Sequence, residues 1–162
     1  MAISTDKVHS LGSLAKIRGA LKREGKKTVF TNGCFDLLHG GHVHLFREAK
    51  KLGDVLIVAV NDDRSIRKIK GPSRPIFPLE ERLEILAAIE HIDYLVSFSE
   101  ETPQKVISAL LPDVLVKGAD WKPDEVVGRK EVEDAGGKVV RVSLHEGSSS
   151  TSLLARILNA AE

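Results

Sequence analysis

The sequence predicts an α/β fold: a doubly wound parallel sheet of five strands with helices on both faces. Three observations predict it. Continuous apolar runs such as Asp54-Val-Leu-Ile-Val-Ala-Val60 suit strands that are covered on both sides. These runs alternate with stretches of helical periodicity, the pattern of right-handed strand–helix–strand crossovers. The 162 residues contain no internal repeat, low-complexity tract or linker, so one domain over residues 1–162 is expected, with room for a proper core.

Residues 1–12 are polar and aperiodic and are expected to form a loose arm. Leu14, Ile17, Ala20 and Leu21 mark one face of a helix near 13–24, stopped by Gly25. Thr28–Thr31 is the first strand. Val43, Leu45, Phe46, Ala49 and Leu52 mark the next helix, with Gly53 as its stop. The run ending at Val60 is the second strand, and Tyr94–Phe98, Val114–Val116 and Val139–Val142 supply the rest. Helical patterns near 79–90, 103–111, 125–135 and 150–160 separate them. Asn61–Pro78, polar and rich in Arg and Lys, is the longest irregular candidate. It follows the second strand and so lies at the carboxyl edge of the sheet, where open α/β sheets bind ligands. The same composition also fits a solvated charged helix and loop.

Bulk charge argues against some partners. Lys plus Arg (24) and Asp plus Glu (23) nearly cancel, which points to neither nucleic acid nor a membrane surface. No apolar run approaches the roughly 18 residues of a spanning helix, and Met1–Asp6 lacks the pattern of a secretory signal. A single cysteine, Cys34, fits a reducing cytoplasm.

Chemistry concentrates in Val29–Val43. A β-branched and aromatic run leads through Asn32-Gly33 to two histidines, His39 and His42, around Gly40-Gly41. A strand, a glycine-bearing turn and a helix N-terminus together make a phosphate site: N–H groups and the helix dipole point at the anion, and glycine lets it approach. Imidazoles there could donate to a phosphoryl group as charge builds on it. The plain alternative is that His39 caps the turn and His42 is an ordinary first-turn residue. A zinc site of His39, His42 and His44 would need three converging ligands, but His42 and His44 point to different faces of a helix. Cys34 beside His39 could suggest thiol chemistry, although a small buried cysteine is the commoner case. The chain has neither a G-x-x-x-x-G-K-[ST] nor a G-x-G-x-x-G motif, so P-loop and dinucleotide chemistry lack support.

Two further stretches suit a nucleotide. Lys117-Gly-Ala-Asp-Trp121 follows the Val114–Val116 strand, although a Trp is also often mere packing. Glu146-Gly-Ser-Ser-Ser-Thr-Ser152 opens the last helix, and serine capping alone would explain much of it.

Together these pieces resemble the cytidylyltransferase-like nucleotidyltransferases, a Rossmann-like superfamily whose His-x-Gly-His signature is His39-Gly-Gly-His42 here. Within it the chain is similar to the heptose 1-phosphate adenylyltransferase family, from about Lys27 to Leu158. Thr31-Asn-Gly-Cys-Phe-Asp36, Lys70-Gly-Pro-Ser-Arg-Pro75, Pro78-Leu-Glu-Glu-Arg82, Lys117-Gly-Ala-Asp120 and Gly147-Ser-Ser-Ser-Thr151 carry the likeness.

The resemblance implies transfer of AMP from ATP to D-glycero-β-D-manno-heptose 1-phosphate, for the inner core of lipopolysaccharide. His39 and His42 would be catalytic. Asn32, Gly33, Phe35, Asp36, Gly41, Arg82, Lys117, Gly118, Asp120, Ser149, Ser150 and Thr151 would bind the nucleotide. Lys70 and Arg74 are placed at the sugar phosphate by position alone. Mg²⁺ is expected with ATP, held by phosphate and water rather than by protein side chains, and a homodimer fits the family. Leu144-His145 stands where glycerol-3-phosphate cytidylyltransferases carry Arg-Thr, which favours the heptose branch. A cytidylyltransferase acting on another phosphorylated alcohol is the alternative, and an inactive nucleotide-binding module is a more remote one. The family enzyme is often fused behind a sugar kinase. This chain starts with its own Met and carries no kinase half, so a separate kinase is expected to supply the substrate.

Overall fold

The computed structural model describes residues 6–143, 147 and 149–161. The elements run α1 (Leu11–Arg23), β1 (Thr28–Gly33), α2 (Gly40–Lys50), β2 (Val55–Asn61), α3 (Asp63–Lys70), α4 (Leu79–Ala87), β3 (Tyr94–Phe98), α5 (Gln104–Leu110), β4 (Val114–Gly118), α6 (Arg129–Asp134), β5 (Lys138–Val142) and α7 (Ser150–Ala160). The strands form one parallel sheet in the order β3-β2-β1-β4-β5. This is the predicted doubly wound α/β arrangement.

Strand alternation sends neighbouring residues to two separate cores. Val29, Leu56, Val58, Val60, Leu95, Val114 and Val116 face one way and meet Phe46 and Ala49 of α2 and Leu83 and Leu86 of α4. Phe30, Ile57, Ala59, Val96 and Leu115 face the other way, against Leu14 of α1, Val106, Ile107 and Leu110 of α5 and Val132 of α6. Burial on both faces explains why the strands read as unbroken apolar runs.

The amino edge of the sheet is stitched by carboxylates. Asp113 Oδ2 accepts from Thr28 N at 2.8 Å, Asp93 Oδ2 from Leu56 N at 2.7 Å, and Asp54 Oδ2 from Lys27 N at 2.7 Å. At the carboxyl edge the central strands part. β1 pairs with β2 along all six of its residues but with β4 only at Val29↔Val114 and Phe30↔Leu115. Beyond them the Thr31 hydroxyl donates to Val116 O at 3.1 Å. Helices leave the neighbouring strands β1 and β4 on opposite faces, so a crevice opens at this topological switch point.

Three expectations are corrected. The arm expected over residues 1–12 is anchored from Lys7: Leu95 N donates to Lys7 O, His9 N donates to Leu95 O, and Val8 bridges Leu95. The exposed edge of β3 offers unpaired backbone groups that this segment satisfies. Residues 1–5 lie outside the described residues. Asn61–Pro78 is not all irregular, because it contains α3, started by Asp62 capping Ser65 N at 2.7 Å and held by buried Ile66. The helix expected over 125–135 begins only at Arg129. Gly128 there has φ +81°, and a Cβ on it would lie 2.6 Å from Ile107 Cγ2, so the chain must turn in a conformation that favours glycine.

Candidate active site

A cleft of about 540 Å³ lies at the parting of β1 and β4. His39 is the N-cap of α2. Its Nδ1 accepts from Gly41 N at 3.1 Å, while the Nδ1 of His42 accepts from His39 N at 3.3 Å. The rings stack with centroids 3.9 Å apart. An Nδ1 that accepts leaves the ring proton of the neutral imidazole on Nε2. Both histidines line the cleft. The plain reading as caps and the functional one are therefore compatible, because the caps use one ring nitrogen and leave the other for a ligand.

Burial lowers the pKa of both imidazoles. For His42, burial first, then His39 and Lys70, bring it to about 4. His42 is thus neutral near pH 7, an N–H donor without a charge. Phe35 braces it edge-on, with centroids 5.4 Å apart, and also packs on Phe46. To reach that position Phe35 takes φ +48° and Leu37 takes φ +55°, each costing about 1–3 kcal/mol. Gly33 makes room: a Cβ there would lie 3.0 Å from Phe35 Cζ.

The opposite wall comes from β4. Lys117 is buried, its Nζ donates to Asn32 Oδ1, and it sits 5.4 Å from the centroid of the Trp121 ring. Burial, partly offset by Asp120, lowers its pKa to about 8. Asn32, Gly33, Lys117, Gly118, Asp120 and Trp121 all line the cleft. So do Ser149, Ser150 and Thr151 at the start of α7. Ser149 and Ser152 form a reciprocal cap, Ser152 N to Ser149 Oγ at 3.0 Å and Ser149 N to Ser152 Oγ at 3.2 Å. The Ser150 hydroxyl donates to Asp36 O at 2.7 Å, which ties α7 to the histidine turn. Two helix N-termini and Lys70 therefore meet in one cleft, an arrangement suited to a polyphosphate.

The sequence model of the family described as cytidylyltransferase-like matches residues 30–154. The chain belongs to the cytidylyltransferase-like family. It is 50% identical over 159 residues to the bifunctional protein HldE of Hydrogenovibrio crunogenus, covering 98% of this chain and 32% of that protein. Against the bifunctional protein HldE of Escherichia coli K12 it is 51% identical over 138 residues, 85% of this chain and 29% of that protein. The chain thus spans about a third of the length of these relatives. The crystal structure of the lipopolysaccharide core biosynthesis protein from Thermoplasma volcanium superposes with a TM-score of 0.64 at 34% identity, over 75% of this chain and all of that one. A pantoate–β-alanine ligase from Francisella tularensis, complexed with βγ ATP and β-alanine, shares the fold at a TM-score of 0.60 and 18% identity, over 86% of this chain and 67% of that one.

Within this family cleft, three residues expected to touch ligand are placed elsewhere. Arg82 is completely buried. Its Nη1 donates to Cys34 O at 2.6 Å and Asn61 O at 2.8 Å, its Nε to Phe77 O at 3.0 Å, and its Nη2 to Asp63 Oδ1 at 2.7 Å. It clamps the exits of β1 and β2 from beneath and does not line the cleft. Asp36 is buried too, accepting from Arg74 Nε at 2.8 Å, Ile76 N at 2.7 Å and Phe77 N at 3.0 Å. Burial would raise its pKa, but these bonds outweigh it and hold the carboxyl below its usual range. Arg74 holds that carboxylate through Nε alone, and its buried Nη2 has no hydrogen-bond partner among the described residues. Both residues fasten the 74–77 segment.

Sequence reasoning passed over other lining residues: Asn61, Ile69, Glu101 and Thr102. Glu101 and Thr102 follow β3 at the carboxyl edge, a position that could have flagged them. Leu144-His145 and Glu146 lie outside the described residues.

Proposed function

We propose that this chain is an adenylyltransferase that moves AMP from ATP to a sugar 1-phosphate, D-glycero-β-D-manno-heptose 1-phosphate, giving ADP-heptose and pyrophosphate for lipopolysaccharide inner-core synthesis. The observation that carries the reading is the pair His39 and His42. Both Nδ1 atoms are committed to backbone N–H groups, and the Nε2–H groups remain for a phosphate in a cleft shared with Lys70 and two helix N-termini. The identity to the HldE proteins and the likeness to a lipopolysaccharide core biosynthesis protein support the choice of acceptor.

The acceptor needs no general base. The second pKa of a phosphate monoester is near 6, so its attacking oxygen is already largely ionised at neutral pH. Positioning and charge stabilisation remain. The sugar-phosphate oxygen attacks the α-phosphorus in line and pyrophosphate leaves. The two Nε2–H groups and the α2 N-terminus stabilise charge on the α-phosphate, Ser149–Thr151 receive the outer phosphates, and Lys117, Gly118 and Asp120 border the nucleoside. Lys70 holds the acceptor phosphate. Mg²⁺ would come with ATP and neutralise part of the triphosphate charge. Among the described residues no three His, Cys, Asp or Glu side chains converge to hold a metal, so no step is assigned to it. The same reading puts the enzyme in the cytoplasm beside its ATP, and a homodimer fits it. Among the described residues no helix is long and apolar enough to cross a membrane.

The test is pyrophosphate release from a panel pairing ATP or CTP with heptose 1-phosphate or glycerol 3-phosphate. Release with ATP and heptose 1-phosphate is expected. Preference for CTP and glycerol 3-phosphate would overturn the proposal in favour of a cytidylyltransferase, and no release from any pair would leave a binding module.

A further inference from the structure

We infer that Glu101 and Thr102, in the turn that leaves β3, form the wall that reads the hydroxyl groups of a sugar acceptor; this rests on the adenylyltransferase reading above. Both line the cleft, and neither belongs to a phosphate-binding motif. The turn is built, not loose. Ser65 Oγ donates to Glu100 O at 2.7 Å and accepts from Asn61 Nδ2 at 2.8 Å, both Asn61 and Ser65 being buried. Ser99 Oγ donates to Asp62 Oδ2 at 2.6 Å, and Asp62 N donates to Phe98 O at 2.9 Å. This relay fastens the turn to the start of α3. The other end of α3 carries Ile69 and Lys70, both in the cleft wall. Acceptor phosphate site and turn therefore sit on one rigid unit.

Topology sets which substrate that unit meets. The nucleoside side follows β4, on one flank of β1, whereas α3 and the 99–103 turn follow β2 and β3 on the other. An acceptor held through its phosphate at Lys70 then lies along Ile69 towards Glu101. The chemistry suits a polyol. Glu100 pairs with Lys105 at 3.3 Å, but Glu101 has no ion pair or hydrogen bond among the described residues. A water-exposed carboxylate at a cleft that gathers phosphates repels a second anion and favours neutral hydrogen-bond donors. Adjacent sugar hydroxyls are uncharged donors that both carboxylate oxygens can accept from at once, with the Thr102 hydroxyl as a further partner. A site built this way rejects analogues that lack the hydroxyl, because its own polar group is left unpaired.

The experiment compares wild type with Glu101→Gln, Thr102→Val and the double variant in pyrophosphate release. It titrates ATP, Mg²⁺, heptose 1-phosphate and sugar 1-phosphates lacking single hydroxyls. Both residues are exposed, so the variants should fold, and a thermal melt checks it. The expected result for Glu101→Gln is a KM for heptose 1-phosphate raised ~10–100-fold, with KM for ATP and the Mg²⁺ requirement unchanged. One deoxy sugar should be penalised by wild type but not by the variant. An unchanged sugar KM in a working enzyme overturns the assignment alone. A change confined to ATP or Mg²⁺ overturns it too, moving Glu101 to the nucleotide or its cation. No turnover by wild type with any sugar 1-phosphate overturns the adenylyltransferase reading, and this inference with it.

Discussion

The N-termini of α2 and α7 use the same device to different ends. Both enter the cleft, and in each the third helical residue's side chain accepts from the N-cap N–H while the N-cap side chain accepts from a first-turn N–H, Gly41 N in α2 and Ser152 N in α7. In α7 the groups are serine hydroxyls, whose single oxygens serve the caps, so the helix offers a ligand mainly backbone N–H groups and the Thr151 side chain. In α2 they are imidazoles with a second nitrogen. The same turn that holds the helix in place therefore also fixes two donors over the cleft. A histidine cap does two jobs where a serine cap does one.

The largest expected effect separates these jobs. His39→Asn keeps a side-chain acceptor for Gly41 N but removes Nε2, as does His42→Asn for His39 N. Each should drop turnover by about 10²–10³ with little change in melting temperature. Near-normal turnover in the folded His39/His42 double variant would sink the assignment and leave both residues as mere caps.

The pH profile sharpens the same contrast. His42, at about 4, should remain an uncharged donor down to about pH 5, while Lys117, at about 8, loses its charge above that. As pH is lowered, turnover should therefore fall first as the acceptor phosphate itself protonates at about pH 6 and fall further below about pH 5 with His42, whereas KM for ATP should rise above about pH 8. Stability gives a second readout. The folded pKa of His42 lies below its unfolded value of 6.5, so the unfolded chain binds more protons between the two. Its neutral form contributes fully above pH 6.5, and that contribution is lost as pH falls towards 4. A melting temperature that rises over that fall would contradict the buried, neutral imidazole.

A smaller effect is expected at α7. Ser149→Ala removes the acceptor for Ser152 N and should cost about 1 kcal/mol in a denaturant titration, with turnover lowered less than in the histidine variants. A loss of turnover equal to theirs would show that the serine hydroxyl itself meets substrate. The smallest effect is expected between the two helices. Cys34 lines the cleft, but burial raises its thiol pKa despite Lys70, Arg82 and Arg74 nearby, so Cys34→Ser should retain most activity. Its abolition would revive thiol chemistry.

Much of this was legible early because it is local. Apolar runs named the five strands, and the spacing His39-Gly-Gly-His42 named the turn. The cations were harder. Lys70, Arg74 and Arg82 all carry positive charge in the right part of the chain, yet only Lys70 reaches the cleft. Arg82 held a clue: it shares the α4 register of Leu79 and Leu86, the core-facing side. Depth and partners were not readable, because the carbonyls of Cys34 and Asn61 that Arg82 satisfies belong to other elements.

By itself, then, the sequence determined the alternation of strands and helices, the two capped helix starts and the histidine pair. Periodicity and capping act over a few residues and leave a trace in order and spacing. Only the tertiary structure decided where β1 and β4 part, which nitrogen of each histidine stays available, and which cations bond to Asp36, Asp63 and backbone carbonyls. Those outcomes depend on desolvation and on hydrogen-bond partners tens of residues away, and no local spacing encodes them.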